Sequence, residues 1–507
     1  ANISNSLTGR MPGLLSVQRS GEPGKDASTL RIRGIGSFAT SNSYIADINF
    51  YQNEAEVNTA VIGCYGGIHA PLNIEWALTE LRSDNTRMNG TRSSNDAFMQ
   101  LLALDLGTMD ASNPNIRTYW EATYQNINNC NSILKPEVLA VVENEKKRAQ
   151  FEGEALFIRA YHYFNLVRLF GPTFLVTEEI SIAESLKKDR SSVQATYAQI
   201  IDDLKRSVTD LQDITYSSND LGRATVLAAK SLLAKVYLTL GRYEDAKPLL
   251  SDVVTAKGET LNVKYADVFD TTKEMNDDII FTVRYKSGSL GIGSPFANTF
   301  APQNSGANVI TGSGDGKNYP TKEISAAYSK EDLRKDVSMA DSYYDKSKDV
   351  EAQVAYVKKF LSEVSIRYDA ENDWPVIRYA DVLLMYAEVL NEVDGPSAGL
   401  KYLNLVRERA GLSKIESDAV TTRNVFRTYL EKERRLELAF ENQRWFDLLR
   451  WGKAIEVINK HIQETEWDFY AGYTQQINKL KDYQLILPIP QSVIDNNPGV
   501  ITQNPNY

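Results

Sequence analysis

Residues 223–256 constrain this chain more than any other stretch. Apolar side chains run through Val226, Leu227, Leu232, Leu233, Val236 and Leu240, then recur at Tyr243, Ala246, Leu249, Leu250, Val253 and Val254 beyond Gly241. That spacing gives two amphipathic helices. The small residues Ala234 and Ala246 let them approach as an antiparallel pair, and Gly241 supplies the short turn between them. A second pair is expected over Tyr379–Leu412, with Leu383, Tyr386, Ala387 and Leu390 on one helix and Ala398, Tyr402, Leu405 and Val406 on the next.

A long helix is predicted over Glu152–Phe170, where Ala155, Ile158, Tyr161, His162, Asn165, Leu166 and Leu169 follow a helical face. Gly171 and Pro172 end it, because glycine accepts the left-handed cap and proline cannot continue the hydrogen-bond ladder. Such hairpins cannot bury their apolar faces alone and must stack. The fold class expected is therefore mainly α, with tetratricopeptide-like helix-turn-helix repeats packed against a loop-rich, irregular subdomain containing a few short strands.

The period fails over 258–350, where glycine and serine punctuate Gly288–Pro295 and Thr311–Gly316. Loops of this length in a compact protein tend to carry function. Residues 44–257 and 351–507 are expected to be mostly helical. Residues 1–43 differ again, rich in Ser, Gly, Asn and Arg, with one strand-like run over Thr29–Gly36.

Several function classes fall away. A net charge of −10 opposes a phosphate-backbone binder, so no nucleic-acid partner is expected. No run of about 18 apolar residues is present to cross a membrane as a helix. Cys64 and Cys130 are too few for a disulfide framework and lack zinc spacing, and are expected as buried thiols. The three histidines, His69, His162 and His461, form no metal or triad motif, and His162 is expected as a packed core residue. Gly312–Asn318 imitates a phosphate loop but has Thr311 where glycine is needed and Asn318 where Ser or Thr binds magnesium. With 66 acidic residues, no carboxylate pair can be singled out as a glycosidase dyad. No cofactor is expected, and without an EF-hand spacing a structural calcium ion is left as an open alternative. The charged block Glu431–Trp445 reads as a solvated helix with i, i+4 ion pairs.

Two groups of residues remain as candidate ligand contacts. A polar loop follows an apolar helix containing Trp76, and its Asp84, Asn85, Arg87, Arg92 and Asn95 offer bidentate hydrogen bonds to hydroxyl pairs or peptide backbone. In the irregular region Tyr285, Phe296, Phe300 and Tyr319 offer rings on which sugar C–H faces stack. On this reading, replacing Asp84 and Arg87 by alanine weakens binding and leaves thermal unfolding nearly unchanged.

Several blocks carry a family resemblance. The C-terminal run Tyr483–Pro498 and its close Gln503–Tyr507, the aromatic-rich helix Gly153–Gly171, Gly222–Thr225, Trp374–Glu388, Leu403–Gly411 and Glu433–Glu441 resemble the SusD/RagB family over about residues 50–507. The resemblance implies a non-catalytic, lipid-anchored protein on the outward face of the outer membrane. Such a protein captures a nutrient for a SusC-like TonB-dependent transporter. Because the resemblance begins near Phe50, the family's anchoring cysteine and first few dozen residues are expected to be missing from this chain. By rough position the resemblance places the ligand site at Asp84–Asn95 and in loops of the irregular region. Residues 1–43 instead resemble part of a SusC-type receptor plug, as a fused or composite segment. The leading expectation is oligosaccharide capture. Peptide capture is the alternative, and a glycoside hydrolase or a protein-only scaffold is less favoured.

Overall fold

A computed structural model describes residues 14–17, 29–32, 51–88, 96–178, 180, 182–185, 187–464 and 479–507. In the first fifty residues it describes two strands, β1 (Leu14–Val17) and β2 (Thr29–Ile32), paired antiparallel with Leu14 opposite Ile32. The rest of residues 1–50, where the plug resemblance is expected, lies outside the described residues.

From residue 51 onward helices dominate. The first half carries α1 (Glu54–Gly66), α2 (His69–Leu78), α3 (Asp96–Asp105), α4 (Pro114–Ile133), α5 (Glu145–Phe170), α6 (Val193–Asp210), α7 (Val226–Thr239) and α8 (Tyr243–Lys257). After a short α9 (Phe296–Phe300), the series resumes with α10 (Tyr379–Val393), α11 (Pro396–Arg409), α12 (Arg423–Glu437), α13 (Arg444–Arg450) and α14 (Ala454–Glu464). Both expected hairpins are present. Gly241 turns α7 into α8 at φ 69°, and α10 and α11 pack closely with α8 and α12 alongside.

α5 is the central pillar. Asn144 caps its N-terminus by accepting from the Lys147 N–H, and Gly171 ends it at φ 72° as the sequence indicated. From Gln150 onward it is buried on nearly every side, so its polar residues need partners inside the protein. Arg159 makes a paired contact to Asp203 at 2.7 and 2.8 Å, and Arg223 reaches Glu154 at 3.0 Å. His162 packs in the core, its Nε2 accepting from Asn126 Nδ2 at 2.8 Å. Burial pushes His162 down to about 3, which keeps the ring neutral. Cys64 and Cys130 are buried free thiols.

Short antiparallel ladders join the irregular part to this frame. β4 (Ile279–Val283) pairs with β10 (Trp374–Arg378), β3 (Thr86–Arg87) with β5 (Tyr319–Pro320), β6 (Met339–Ala340) with β9 (Tyr356–Val357), and β7 (Tyr343–Asp345) with β8 (Val350–Ala352). The irregular part extends to Arg378, where α10 begins. One hydrophobic core links helices and strands, from Val57 through Phe157 and Phe281 to Trp374 and Leu487.

The block Glu431–Trp445 is not a wet helix face, contrary to the sequence reading. Glu433, Arg434, Glu437, Glu441 and Arg444 are all buried. Arg378 binds Asp278, Glu437 and Glu441 at 2.8–3.0 Å, Arg334 binds Asp332 and Glu433, and Arg434 bridges Asp381 and Asp447. These partners come from distant segments, so sequence spacing alone cannot reveal them.

Candidate functional site

The sequence-predicted rings converge, but on the interior. Trp76, Tyr285, Phe296 and Phe300 are at most 2 % exposed. Trp76 meets Phe300 edge-on at 5.6 Å, Phe300 stacks on Phe296 at 5.6 Å, and Phe296 lies 5.8 Å from Tyr285 and 4.4 Å from Trp374. Phe360 stacks on Trp374 at 4.3 Å, and His69 on Tyr285 at 4.4 Å. This cluster fastens the irregular part to α2. Tyr319 is buried in β5, opposite Arg87 of β3, with its hydroxyl accepting from Gln303 N–H.

Asp84 and Asn85 are likewise inside. Arg444 grips both Asp84 oxygens at 2.8 and 3.0 Å, and Arg435 reaches Asp84 Oδ2 at 3.0 Å. Burial alone would raise this carboxyl, but Arg435 and Arg444 outweigh it and hold it at about 2. Asn85 donates to Glu80 Oε1 at 3.0 Å and accepts from Arg435 Nε at 2.8 Å. Asp84 is therefore a buried clamp between the segment after α2 and the end of α12, not an exposed polar contact. Arg87 is half-buried, and Arg92 and Asn95 lie outside the described residues.

Exposed apolar side chains point to another surface. Of ten large hydrophobic residues well exposed among the described ones, seven are Leu290, Ile292, Leu333, Tyr344, Val350, Ile366 and Tyr368, all in the irregular part. Long loops are where binding residues concentrate, so the irregular part supplies the candidate surface. Tyr344 (49 % exposed) and Tyr368 (41 %) carry the rings.

The backbone holds these rings in place. Tyr368 sits at φ 64°, a conformation that costs a bulky residue roughly 1–3 kcal/mol. Its N–H donates to Oδ1 of the fully buried Asn298 at 2.9 Å, and Asn298 Nδ2 donates to the Thr311 and Ser313 carbonyls at 3.0 Å each. The Asn298 carbonyl in turn accepts from Asp315 N–H at 2.8 Å. One buried amide thus ties α9, the 311–315 loop and the strained tyrosine together. Asp315 accepts from the Tyr368 hydroxyl at 2.7 Å, pairs with Lys317 at 3.0 Å and also pairs with Arg367, whose guanidinium lies over the Tyr368 ring. Burial and the Asp315 bond push the Tyr368 hydroxyl up to about 12, so it stays a neutral donor.

Neighbouring segments are knitted to this unit. Asp369 Oδ2 accepts from Gly288 and Ser289 N–H at 2.9 and 2.8 Å, and Ser294 bridges Ala370. A Cβ at Gly293 would sit 2.5 Å from Asp369 Cα, and one at Gly314 2.2 Å from the Ala301 carbonyl oxygen, so these approaches require glycine. At the other end of the 301–318 loop, Asn308 donates to Asp345 Oδ1 and accepts from Lys346 N–H, both at 3.3 Å, fixing the β7–β8 hairpin that carries Tyr344.

Interior cavities compete poorly with this surface. The one beside Glu75, Arg168 and Asn442 holds about 20 Å³, room for a water. Another, of about 180 Å³, between Leu221–Leu227 and Ile279–Phe281 is walled mainly by hydrocarbon, and is small against the usual ligand pocket of about 300–1,000 Å³. No group of three or more His, Cys, Asp or Glu among the described residues is placed to hold a metal, and no described helix is long and apolar enough to cross a membrane.

Comparison with known proteins decides the family. Residues 277–507 match the model described as the SusD family, and residues 42–238 match the one described as starch-binding associating with outer membrane. The chain belongs to the SusD/RagB family. Proteins of this family are non-catalytic binding proteins, and neither match reaches residues 1–41. Among curated relatives, SusD-like protein P25 of Formosa agariphila is 26 % identical, with 90 % of this chain and 92 % of that protein covered. A SusD-like protein of Bacteroides ovatus is 25 % identical over 74 % and 72 %. Among solved structures, a laminarin binding SusD-like protein superposes with a TM-score of 0.75 at 25 % identity, covering 90 % of this chain and all of that one. Surface glycan-binding protein A from Bacteroides thetaiotaomicron, solved with laminarihexaose, shares the fold at TM-score 0.73 and 21 % identity, over 89 % and 99 %. The mainly helical SusD-like fold expected from sequence is the fold observed.

Proposed function

We propose that this SusD-like protein captures oligosaccharide at the cell surface, at the exposed tyrosines of its irregular part, Tyr368 and Tyr344, and delivers it intact to a SusC-like TonB-dependent outer-membrane transporter. The observation that carries the reading is two exposed tyrosines, Tyr368 and Tyr344, each on a segment braced by hydrogen bonds from the 298–318 region. A sugar ring presents an apolar C–H face and a rim of hydroxyls, so it is matched by a phenol ring flanked by carboxylate and guanidinium groups. Braced aromatics lose little rotamer freedom on binding, which favours affinity at an open surface. The laminarin-binding relative supports an oligosaccharide over other cargo, and the family supports the outer-membrane setting and the transporter partner. Titration calorimetry with neutral oligosaccharides and with oligopeptides of matched length tests the reading. Heat of binding from at least one oligosaccharide, lost in Tyr368→Ala, is expected. Binding to peptides alone would replace the reading with peptide capture.

A further inference from the structure

We infer that this face takes uncharged oligosaccharides and that Asp315 determines this selectivity by occupying the cations an acidic sugar would need. The inference rests on the glycan reading above and narrows it to a substrate class. The segments 286–294, 301–318, 343–352 and 366–371 carry five basic and six acidic residues. Four of the five bases are committed: Lys286 to Glu371, Lys348 to Asp345, and both Lys317 and Arg367 to Asp315. Only Lys346, at the hairpin turn, has no acidic partner among the described residues, and no second cation stands beside it on that turn except Lys348, already paired.

Asp315 is placed to hold that balance. Its side chain is only 8 % exposed, while the Lys317 and Arg367 side chains are 34 % and 45 % exposed. The carboxylate therefore lies beneath the two cations, fixed from behind by Tyr368 Oη and by its own N–H on Asn298. A ligand carboxylate or sulfate reaching Arg367 would share a guanidinium already neutralised, and would meet Asp369 and Glu371 close by in sequence. A neutral hydroxyl meets no such repulsion, and it can still accept a hydrogen bond from the outer edge of the guanidinium. Charge-assisted, bidentate recognition of an acidic group is strongest at an unpaired guanidinium, and Arg367 already gives Nη2 to Asp315.

Asp315→Asn keeps an acceptor oxygen for the Tyr368 hydroxyl but releases Arg367 and Lys317. The test measures binding of neutral hexasaccharides, laminarihexaose among them, and of a hexauronate to the wild type, Asp315→Asn and Asp315→Asn/Arg367→Gln, each checked for an unchanged melting temperature. Wild type is expected to bind a neutral hexasaccharide and not the hexauronate. Asp315→Asn should raise the ratio of hexauronate to neutral-hexasaccharide affinity at least tenfold, about 1.4 kcal/mol, in a salt-sensitive manner. The double variant should lose that gain, which locates it at Arg367. Hexauronate binding to wild type at the strength of the neutral sugar, or no gain in Asp315→Asn, overturns the selectivity inference and leaves the glycan reading standing. Failure of every saccharide to bind the wild type removes the glycan reading and this inference with it.

Discussion

Asp84 and Asp315 are each a carboxylate between two cations, yet they belong to different environments. At Asp84 one cation is buried and the other half-buried, with Arg444 5 % and Arg435 17 % exposed. At Asp315 the cations stand in solvent. The same separation holds for the rings: Trp76, Tyr285, Phe296 and Phe300 form the joint between helices and loops, whereas Tyr344 and Tyr368 face outward. What makes a polar or aromatic cluster available to a ligand is the exposure of its outer members, not its composition. The inner clusters hold the frame, and the outer unit is built upon them.

The strongest way to break this contrast is to damage the inner members. Phe296→Ala should cost about 3–5 kcal/mol in urea unfolding by emptying a packed aromatic site. Asp84→Ala should cost a similar ~3–5 kcal/mol by leaving the buried Arg444 and the half-buried Arg435 without their anion. Glycan affinity of the protein that remains folded should stay within about twofold in both, on the scale where a twofold change is ~0.4 kcal/mol. An Asp84→Ala variant with wild-type stability and lost binding would reverse the assignment.

A pH series sharpens the interior half. Burial pushes Glu75 and Glu80 up to about 7, partly offset for Glu75 by Arg168 and for Glu80 by the hydrogen bond from Asn85. A carboxyl raised on folding favours the native state fully below its unfolded pKa of about 4.3, and that contribution is lost as pH rises to the folded value. Stability should therefore decline between about pH 4 and 7 from these two groups, and Glu75→Gln should remove up to about 3 kcal/mol of that decline. Asp84 has the opposite sign. Its depressed carboxyl stabilises the fold above about pH 4, and that contribution is lost as pH falls towards 2. Denaturation curves across pH 2–8 for the wild type, Glu75→Gln and Asp84→Asn separate the two.

Smaller effects are expected on the outer face. Tyr368→Ala should weaken oligosaccharide binding by about 1–2 kcal/mol while shifting stability by less than ~0.5 kcal/mol, as for a surface anchor. Asn298→Ala should weaken binding through the loss of Tyr368 and Asp315 placement. Combined with Tyr368→Ala it should cost little more than either alone, because the two residues act as one unit. Full additivity in calorimetry would show that Asn298 only stabilises the loop.

Much of the frame was legible from residue spacing. The helix stop at Gly171, the turn at Gly241 and both hairpins follow from apolar period and glycine placement. The start of α5 was not, since its first turn, Glu145 to Arg148, is polar and carries no period. The irregular region was recognisable by its loss of period, but which of its rings face out was not. Phe296 and Phe300 are buried because Trp76 and Trp374 come to meet them from distant points on either side along the chain. Asp84 looked like a ligand contact because its arginines lie some 350 residues downstream. Tyr344 and Tyr368 gave only the weak signal of tyrosines in polar, turn-rich runs, Ser342–Asp349 and Ser365–Asp369.

A crystal structure with a bound neutral hexasaccharide tests the central claim most directly. The account predicts a sugar ring stacked on Tyr368 or Tyr344, with hydroxyls within hydrogen-bond reach of the Asp315/Arg367 pair and the Trp76–Phe296 cluster unchanged beneath. A saccharide seated elsewhere, with both tyrosines still in solvent, would contradict it.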